Sequence, residues 1–284
     1  MRTISIFGVG LIGGSFALAL RKAGFTGRLI GVSSPRTVEE ALRLGIIDEA
    51  LPFEEAAAAS DLIYLSQPIR KIIEALPGLD EHAKTGALIT DAGSTKAEIV
   101  AAARHAIRRV HFLGGHPMAG KESRGVAAAE PDLFSGCPYV LTPQRPEDLE
   151  LPLAKELMSW IQAFGARPVV LDAERHDRVV ALASHLPQLA STALAHLVHD
   201  APEGGDILRT AGPGLVDMTR LALSPYDVWA DILATNQAAV DAALGAYIAK
   251  LQEVRSRLAG GSLEQEFRAA ADMAARIRGV KRQD

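Results

Sequence analysis

The stretch "ISIFGVGLIGG" near the start of the chain narrows the fold more than any other feature. Gly8, Gly10 and Gly13 stand in G-x-G-x-x-G spacing, directly after a short β run and directly before a helical pattern from Leu11 to Lys22. The spacing alone is common, but its place in an opening β-α-β unit is the context it needs. Gly8 serves the tight turn, Gly10 lets a pyrophosphate approach the backbone, and Gly13 lets helix and strand pack closely. The first-turn residues Leu11 and Ile12 then present the helix N-terminus to the phosphates.

The chain continues as this start implies. "RLIGV", "DLIYLS", "ALITD", "VHFLGG", "YVLTP" and "RPVVLD" read as strands. Helical patterns separate them: a capped helix from "SPRTVEEALRLG", then Pro68 to Leu76, Lys96 to Arg104 and Leu153 to Phe164. Short apolar strands alternating with helices predict a parallel sheet covered on both faces. After Asp172 no strand candidate follows. "RHDRVVALASHLPQLASTALAHLVHD" is helical with a kink at Pro187. Ser224 as cap and Pro225 at the first position open one long helix over 225–258, stopped by Gly260 and Gly261, and Ser262 with Gln265 forms a capping box for a last helix. The expected architecture is α/β: a Rossmann-type, doubly wound, mostly parallel sheet over 1–172, then an all-helical domain over 173–284. The wide apolar stripe of the long helix points to a homodimer through the helical domain.

Composition narrows the function. The 284 residues are 48% hydrophobic and carry a formal net charge of −4 with the signs interspersed, which gives no surface for nucleic acid. No uninterrupted apolar stretch reaches membrane-spanning length, and the N-terminus lacks the layout of a signal peptide. The basic tail "RIRGVKRQD" reads as a solvated end. A single cysteine, Cys137, reads as a buried thiol in a strand. A cytoplasmic protein is expected.

The second strand bears on the cofactor. An NAD-binding unit usually ends that strand in a carboxylate for the ribose 2′-hydroxyl. Here Ser33 follows the strand, with Arg36 and Thr37 close behind. Small hydroxyls and a guanidinium accept a 2′-phosphate that a carboxylate would repel. NADP is the preferred reading and NAD the alternative.

Of eight histidines, His82, His105, His196 and His199 read as surface residues without metal-ligand spacing, and His111 and His176 as structural. His116, in "GGHPMAG", and His185, in "SHLPQ", remain. His116 follows a strand on the crevice side of the sheet, where Gly114 and Gly115 leave room for a ligand. Ser94, in "DAGSTK", points to the same rim. A histidine there can take a proton from a hydroxyl as hydride leaves the same carbon. On the residues alone, a hydrogen-bonded loop histidine explains His116 equally well.

The ordered set "GVGLIGGSFALAL", "DAGSTK", "GGHPMAGKESRG", "PYVLTP", "SHLPQ" and "DMTRLA…SPYDVW" resembles the TyrA family, the prephenate and arogenate dehydrogenases of tyrosine biosynthesis, along nearly the whole chain. The resemblance implies a nicotinamide-linked oxidative decarboxylation of prephenate to 4-hydroxyphenylpyruvate, or of arogenate to tyrosine. It implies His116 as the catalytic histidine, with Ser94 binding the same hydroxyl and orienting that histidine. It also implies substrate binding by His185, Arg220 and, with a less defined role, Glu122. Two readings stand beside it. One is another two-domain NADP-linked enzyme such as a β-hydroxyacid dehydrogenase, which would normally use a helical-domain lysine. The other is a non-catalytic NADP-sensing protein.

Overall fold

The computed structural model describes residues 1–121, 123–258 and 262–279. An eight-stranded sheet runs in the order β3-β2-β1-β4-β5-β6-β7-β8. The strands are β1 (Thr3–Phe7), β2 (Arg28–Val32), β3 (Glu49–Ala50), β4 (Leu62–Leu65), β5 (Leu88–Asp91), β6 (His111–Pro117), β7 (Pro138–Thr142) and β8 (Arg167–Val170). Neighbouring strands are parallel except β6 and β7, which pair antiparallel with His116 opposite Val140. Before Asp172 the helices are α1 (Leu11–Lys22), α2 (Pro35–Arg43), α3 (Phe53–Ala59), α4 (Ile69–His82), α5 (Ala97–Ala106) and α6 (Pro152–Ala163).

The period-two alternation of the strands explains the double cover. Ile4 and Ile6 of β1, with Leu62 and Tyr64 of β4, face a core completed by Phe16 and Leu20 of α1 and Leu157 and Ile161 of α6. Their neighbours Phe7, Ile63 and Leu65 face the other way, onto Ile72 and Leu76 of α4 and Ile99 and Ala103 of α5. The strand order reverses at β1, so the crevice beyond β1 and β4 is where such a sheet takes a ligand. β3 is two residues long and has no hydrophobic pattern of its own, so the sequence does not announce it. α4 runs on through Pro77, where the sequence predicts a stop at Leu76. Leu76 and Leu79 are both fully buried on either side of the proline, and that burial offsets the missing hydrogen bond, a cost of about 3 kcal/mol.

From Ala173 onward the described chain is helical: α7 (Ala173–Val180), α8 (Leu186–Asp200), α9 (Gly204–Thr210), α10 (Pro213–Thr219), α11 (Tyr226–Thr235), α12 (Gln237–Leu258) and α13 (Glu264–Arg278). Between α7 and α8, Ala181–His185 form a π turn. Pro187 has no N–H to return to Ala183, so the expected kink takes the form of a widened turn. The single helix expected over 225–258 is two. It breaks at Asn236 (φ −129°, ψ 26°), whose side-chain amide donates to the Asp177 carbonyl at 2.8 Å. Pro225, not Ser224, is the cap of α11, because the Ser224 hydroxyl accepts from the Trp229 indole at 2.9 Å. The Ser262–Gln265 capping box does not form. Ser262 accepts from the Glu264 amide at 3.1 Å, and α13 starts there. The expected stop at Gly260 and Gly261 lies outside the described residues. Cys137 is half-buried and precedes β7 rather than lying within it.

Met1–Gln237 form one compact unit and Ala238–Asp284 a second. In the second, Arg257 and Glu266 pair between the two helices, and Leu258, Phe267 and Ile277 are exposed. Among the described residues no helix is long and apolar enough to cross a membrane.

Candidate active site

Three cavities of the first unit share walls. The first, about 450 Å³, is lined by Gly8, Gly10, Val32, Ser33, Ser34, Thr37, Ser66, Gln67, Pro68 and Gly125. The second, about 360 Å³, shares Ser66, Gln67 and Pro68 with it and adds Ile12, Gly93, Ser94, Asp227 and Asp231. The third, about 420 Å³, shares Ser94, Val228 and Ile232 with the second. Its wall also holds His116, Lys121, His185, Gln188, Arg220 and Trp229. The shared residues make one continuous path from the glycine turn to His116.

The first cavity fits a dinucleotide. Gly8 has φ +93°, and a β-carbon at Gly10 would meet nothing within 4 Å, leaving room for a phosphate at the backbone. The N-terminus of α1 has no side-chain cap, so its amides face that room. The Gln67 amide oxygen is buried without a hydrogen-bond partner, as a residue awaiting a ligand would be. Of the residues expected here, Gly8, Gly10, Ser33 and Thr37 line this cavity, and Ile12 lines the next. Gly13 is buried beneath the turn, Leu11 packs against the core, and Arg36 is exposed on α2 without joining the wall. Ser66 and Gln67 carry no sequence signal, because "LSQP" matches no motif.

Ser94, His116, His185 and Arg220 line the third cavity together. Glu122 lies outside the described residues. His116 is not on a bare loop. It belongs to β6 and is only 8% exposed. Gly114 and Gly115 do not open an approach to it either. A β-carbon at Gly114 would stand 2.3 Å from the Thr142 hydroxyl, and one at Gly115 2.6 Å from the Asp91 carbonyl oxygen. These glycines let β6 press against its neighbours, and the cavity reaches His116 from the rim.

Behind the wall lies a polar cluster that sequence reasoning misses. His116 Nδ1 is 2.8 Å from His176 Nε2, and His176 Nδ1 is 2.7 Å from Asp177 Oδ1. The Asp177 carboxylate also accepts the Lys96 and Ala97 amides at 2.7 and 2.9 Å, capping α5. Lys96, fully buried, pairs with Asp91 and donates to the Gly115 carbonyl at 2.8 Å. Asp91 in turn accepts the Gly93 and Gly115 amides at 2.8 and 3.1 Å, tying "DAGSTK" to β6. The ring partner that the structure gives His116 is thus His176, which reads from the sequence as merely structural. Its signal was the "HD" pair at the start of a helix whose buried face should be apolar.

Burial first, then the neighbouring His176, Lys96 and His185, hold the His116 imidazole well below the ordinary value of 6.5. Burial also lowers His185, to about 4, against the opposing pull of Asp177. Both rings are therefore neutral at pH 7, and a neutral imidazole is a proton acceptor. His185 Nδ1 lies 3.3 Å from the Asn236 amide nitrogen, so the break after α11 helps seat it. The π turn matters here as well. Its extra residue rotates the next stretch of helix by about 100°, which turns His185 toward the side occupied by His176.

Known proteins resemble this chain along most of its length. Residues 16–168 match the family model "Prephenate dehydrogenase, nucleotide-binding domain", and residues 172–271 match "Prephenate dehydrogenase, dimerization domain". A prephenate dehydrogenase of Lactococcus lactis is 36% identical over 240 residues, 83% of this chain and 65% of that one. One of Bacillus subtilis is 34% identical over 274 residues, 94% of this chain and 72% of that one. The chain thus spans roughly two thirds of the length of these relatives. The structure of Aquifex aeolicus prephenate dehydrogenase with hydroxyphenyl propionate and NAD+ superposes with a TM-score of 0.87 at 31% identity, over 98% of both chains.

Proposed function

Since the chain belongs to the prephenate and arogenate dehydrogenase family, we propose that it oxidises and decarboxylates the cyclohexadienol ring of prephenate in tyrosine biosynthesis, with His116 as the base. The observation that carries this reading is the shared cavity: a neutral imidazole, a serine and a guanidinium line one space that opens onto the dinucleotide path.

The cofactor is a nicotinamide dinucleotide. When bound, its ring takes the hydride from C4 of the substrate. The protein's own residues do the rest. Arg220 holds the ring carboxylate through its planar fork, which fixes the face the ring presents. Ser94, on the wall common to two cavities, hydrogen-bonds the C4 hydroxyl. His116 accepts the hydroxyl proton as the carbon is oxidised. Carbon dioxide then leaves as the ring aromatises, which makes the step strongly downhill, so orientation and charge are what the protein must supply. His185 closes the far wall beside Trp229, with ring centroids 5.9 Å apart.

Prephenate is favoured over arogenate because the described residues lining the cavity include two cations, Lys121 and Arg220, and no carboxylate, so none of them pairs with the ammonium group that arogenate carries and prephenate lacks. NADP is favoured over NAD because none of the described residues lining the first cavity is a carboxylate, and Ser33 and Thr37 offer hydroxyls there. The functional division is 1–172 for the dinucleotide and 173–284 for substrate and dimer contacts. The homodimer forms through the helical region, where apolar residues such as Leu258, Phe267 and Ile277 are exposed. A cytoplasmic location fits this biosynthetic role.

Following nicotinamide reduction with prephenate and arogenate against NAD and NADP, four pairings in all, tests the reading. Fastest turnover is expected for prephenate with NADP. Cofactor binding without reduction in any pairing would leave a sensing protein instead.

A further inference from the structure

We propose that His176 and Asp177 stand behind His116 as a positioning pair, setting its tautomer and receiving its proton; this rests on His116 being the base.

With Asp177 ionised and His176 neutral, the hydrogen bonds allow one assignment of protons. Both Asp177 oxygens accept backbone amides from the start of α5, an arrangement that suits the ionised, acceptor-only carboxylate. Its contact with His176 Nδ1 therefore requires the N–H to be on that ring. A neutral His176 then has a bare Nε2, facing His116 Nδ1 at 2.8 Å. His116 must donate from Nδ1, and its own Nε2 is left bare. His116 lines the cavity, whereas His176 is fully buried and does not. A free imidazole would divide its proton between two nitrogens. Here the tautomer that can act as a base is built in.

The same chain offers the proton a better place to rest. Charge on His116 would face Lys96 from the start of α5 and His185 from the π turn, with Asp91 already paired to Lys96. Charge on His176 would face Asp177. As the substrate O–H bond breaks, its electron pair stays on oxygen and goes into the new C=O. The proton goes to His116 Nε2, and the His116 Nδ1 proton passes to His176 Nε2. His116 ends neutral with its other tautomer, and His176 ends as an imidazolium donating to Asp177 and to His116 Nδ1. As carbon dioxide leaves, the electron pair of its C–C bond runs through the ring onto that same oxygen, which takes the proton back from His116 Nε2, and the shift reverses. Asp177 keeps its charge throughout, as the acid of a catalytic triad does.

His176→Gln separates positioning from relay, because its amide oxygen can accept from His116 Nδ1 but cannot take up a proton. The expected result is KM within about twofold of wild type and kcat lower by about tenfold or more. The acid limb of kcat/KM should move down by about half a pH unit or more, since His116 then titrates alone. An acid limb that superimposes on the wild-type profile overturns the proposal, whatever kcat does. A second measurement needs neither the variant nor turnover. In wild-type protein carrying ¹⁵N-labelled histidine at pH 8, the His116 signals, assigned by their loss in His116→Asn, should show protonated Nδ1 and bare Nε2. The opposite tautomer overturns the proposal even if the enzyme is active. Failure of the functional reading is seen separately, as wild-type protein that turns over neither prephenate nor arogenate.

Discussion

A β-carbon on Gly13 would lie 2.3 Å from the carbonyl oxygen of Gly8 and 2.4 Å from the Ser66 hydroxyl, whereas one on Gly10 would touch nothing. The two glycines of one motif thus serve different ends. Gly13→Ala should disrupt the packing of α1 on the sheet and lower the melting temperature. Gly10→Ala should fold like wild type and weaken cofactor binding by about tenfold, since its methyl group would enter the phosphate space. Thermal unfolding and fluorescence titration with NADPH read the two effects. Equal loss of stability in both variants would refute the distinction.

His116→Asn retains polarity in β6 but removes the proton acceptor. Turnover should drop by about a hundredfold or more, with cofactor affinity unchanged. Steady-state kinetics beside a NADPH titration checks this, and near-normal kcat would remove His116 as the base.

Arg220 is exposed and lines the third cavity. A charge-assisted hydrogen bond contributes about 1.5–3 kcal/mol, so Arg220→Ala should raise the substrate KM by roughly 10- to 100-fold. A variant with unchanged KM would show that the ring carboxylate is held elsewhere.

Ser33 is exposed directly after β2 and lines the first cavity. Ser33→Asp places a carboxylate where it can accept a ribose 2′-hydroxyl and repel a 2′-phosphate. The ratio of kcat/KM for NADP to that for NAD should drop by about tenfold or more. If wild-type enzyme already prefers NAD, the assignment of NADP is wrong.

Acidity should loosen the fold before its carboxylates titrate. The folded chain holds His185 at about 4, below its ordinary 6.5, and His116 is lowered in the same direction. Between those values the unfolded chain binds more protons than the native one, so stability is full above about pH 6.5 and falls as pH drops toward the folded values. The melting temperature should decline on the order of 2–4 °C between pH 6.5 and pH 5. A flat melting temperature across that window would contradict the buried neutral rings.

What could be read from the sequence was whatever is encoded within one turn of chain. The glycine motif, the alternation of strands and helices, and the switch to helix after Asp172 are local patterns of backbone freedom and hydrophobic period. The third cavity joins Ser94, His116, His185 and Arg220 from four separate stretches; Ser94 and His116 could be set on one rim because each follows a strand, but His185 and Arg220 could be joined to them only through resemblance to a family.

Only the tertiary structure decided how His116 is held. Strand pairing drew His116 into β6 and buried it. Asp177 capped α5, so His176 came to rest against His116 across 60 residues of sequence. The π turn and the break at Asn236 then turned His185 to the same side. None of these carries a pattern of its own. Each arises where a buried polar group must find a partner, and which partner lies within about 3 Å is settled by packing between distant segments.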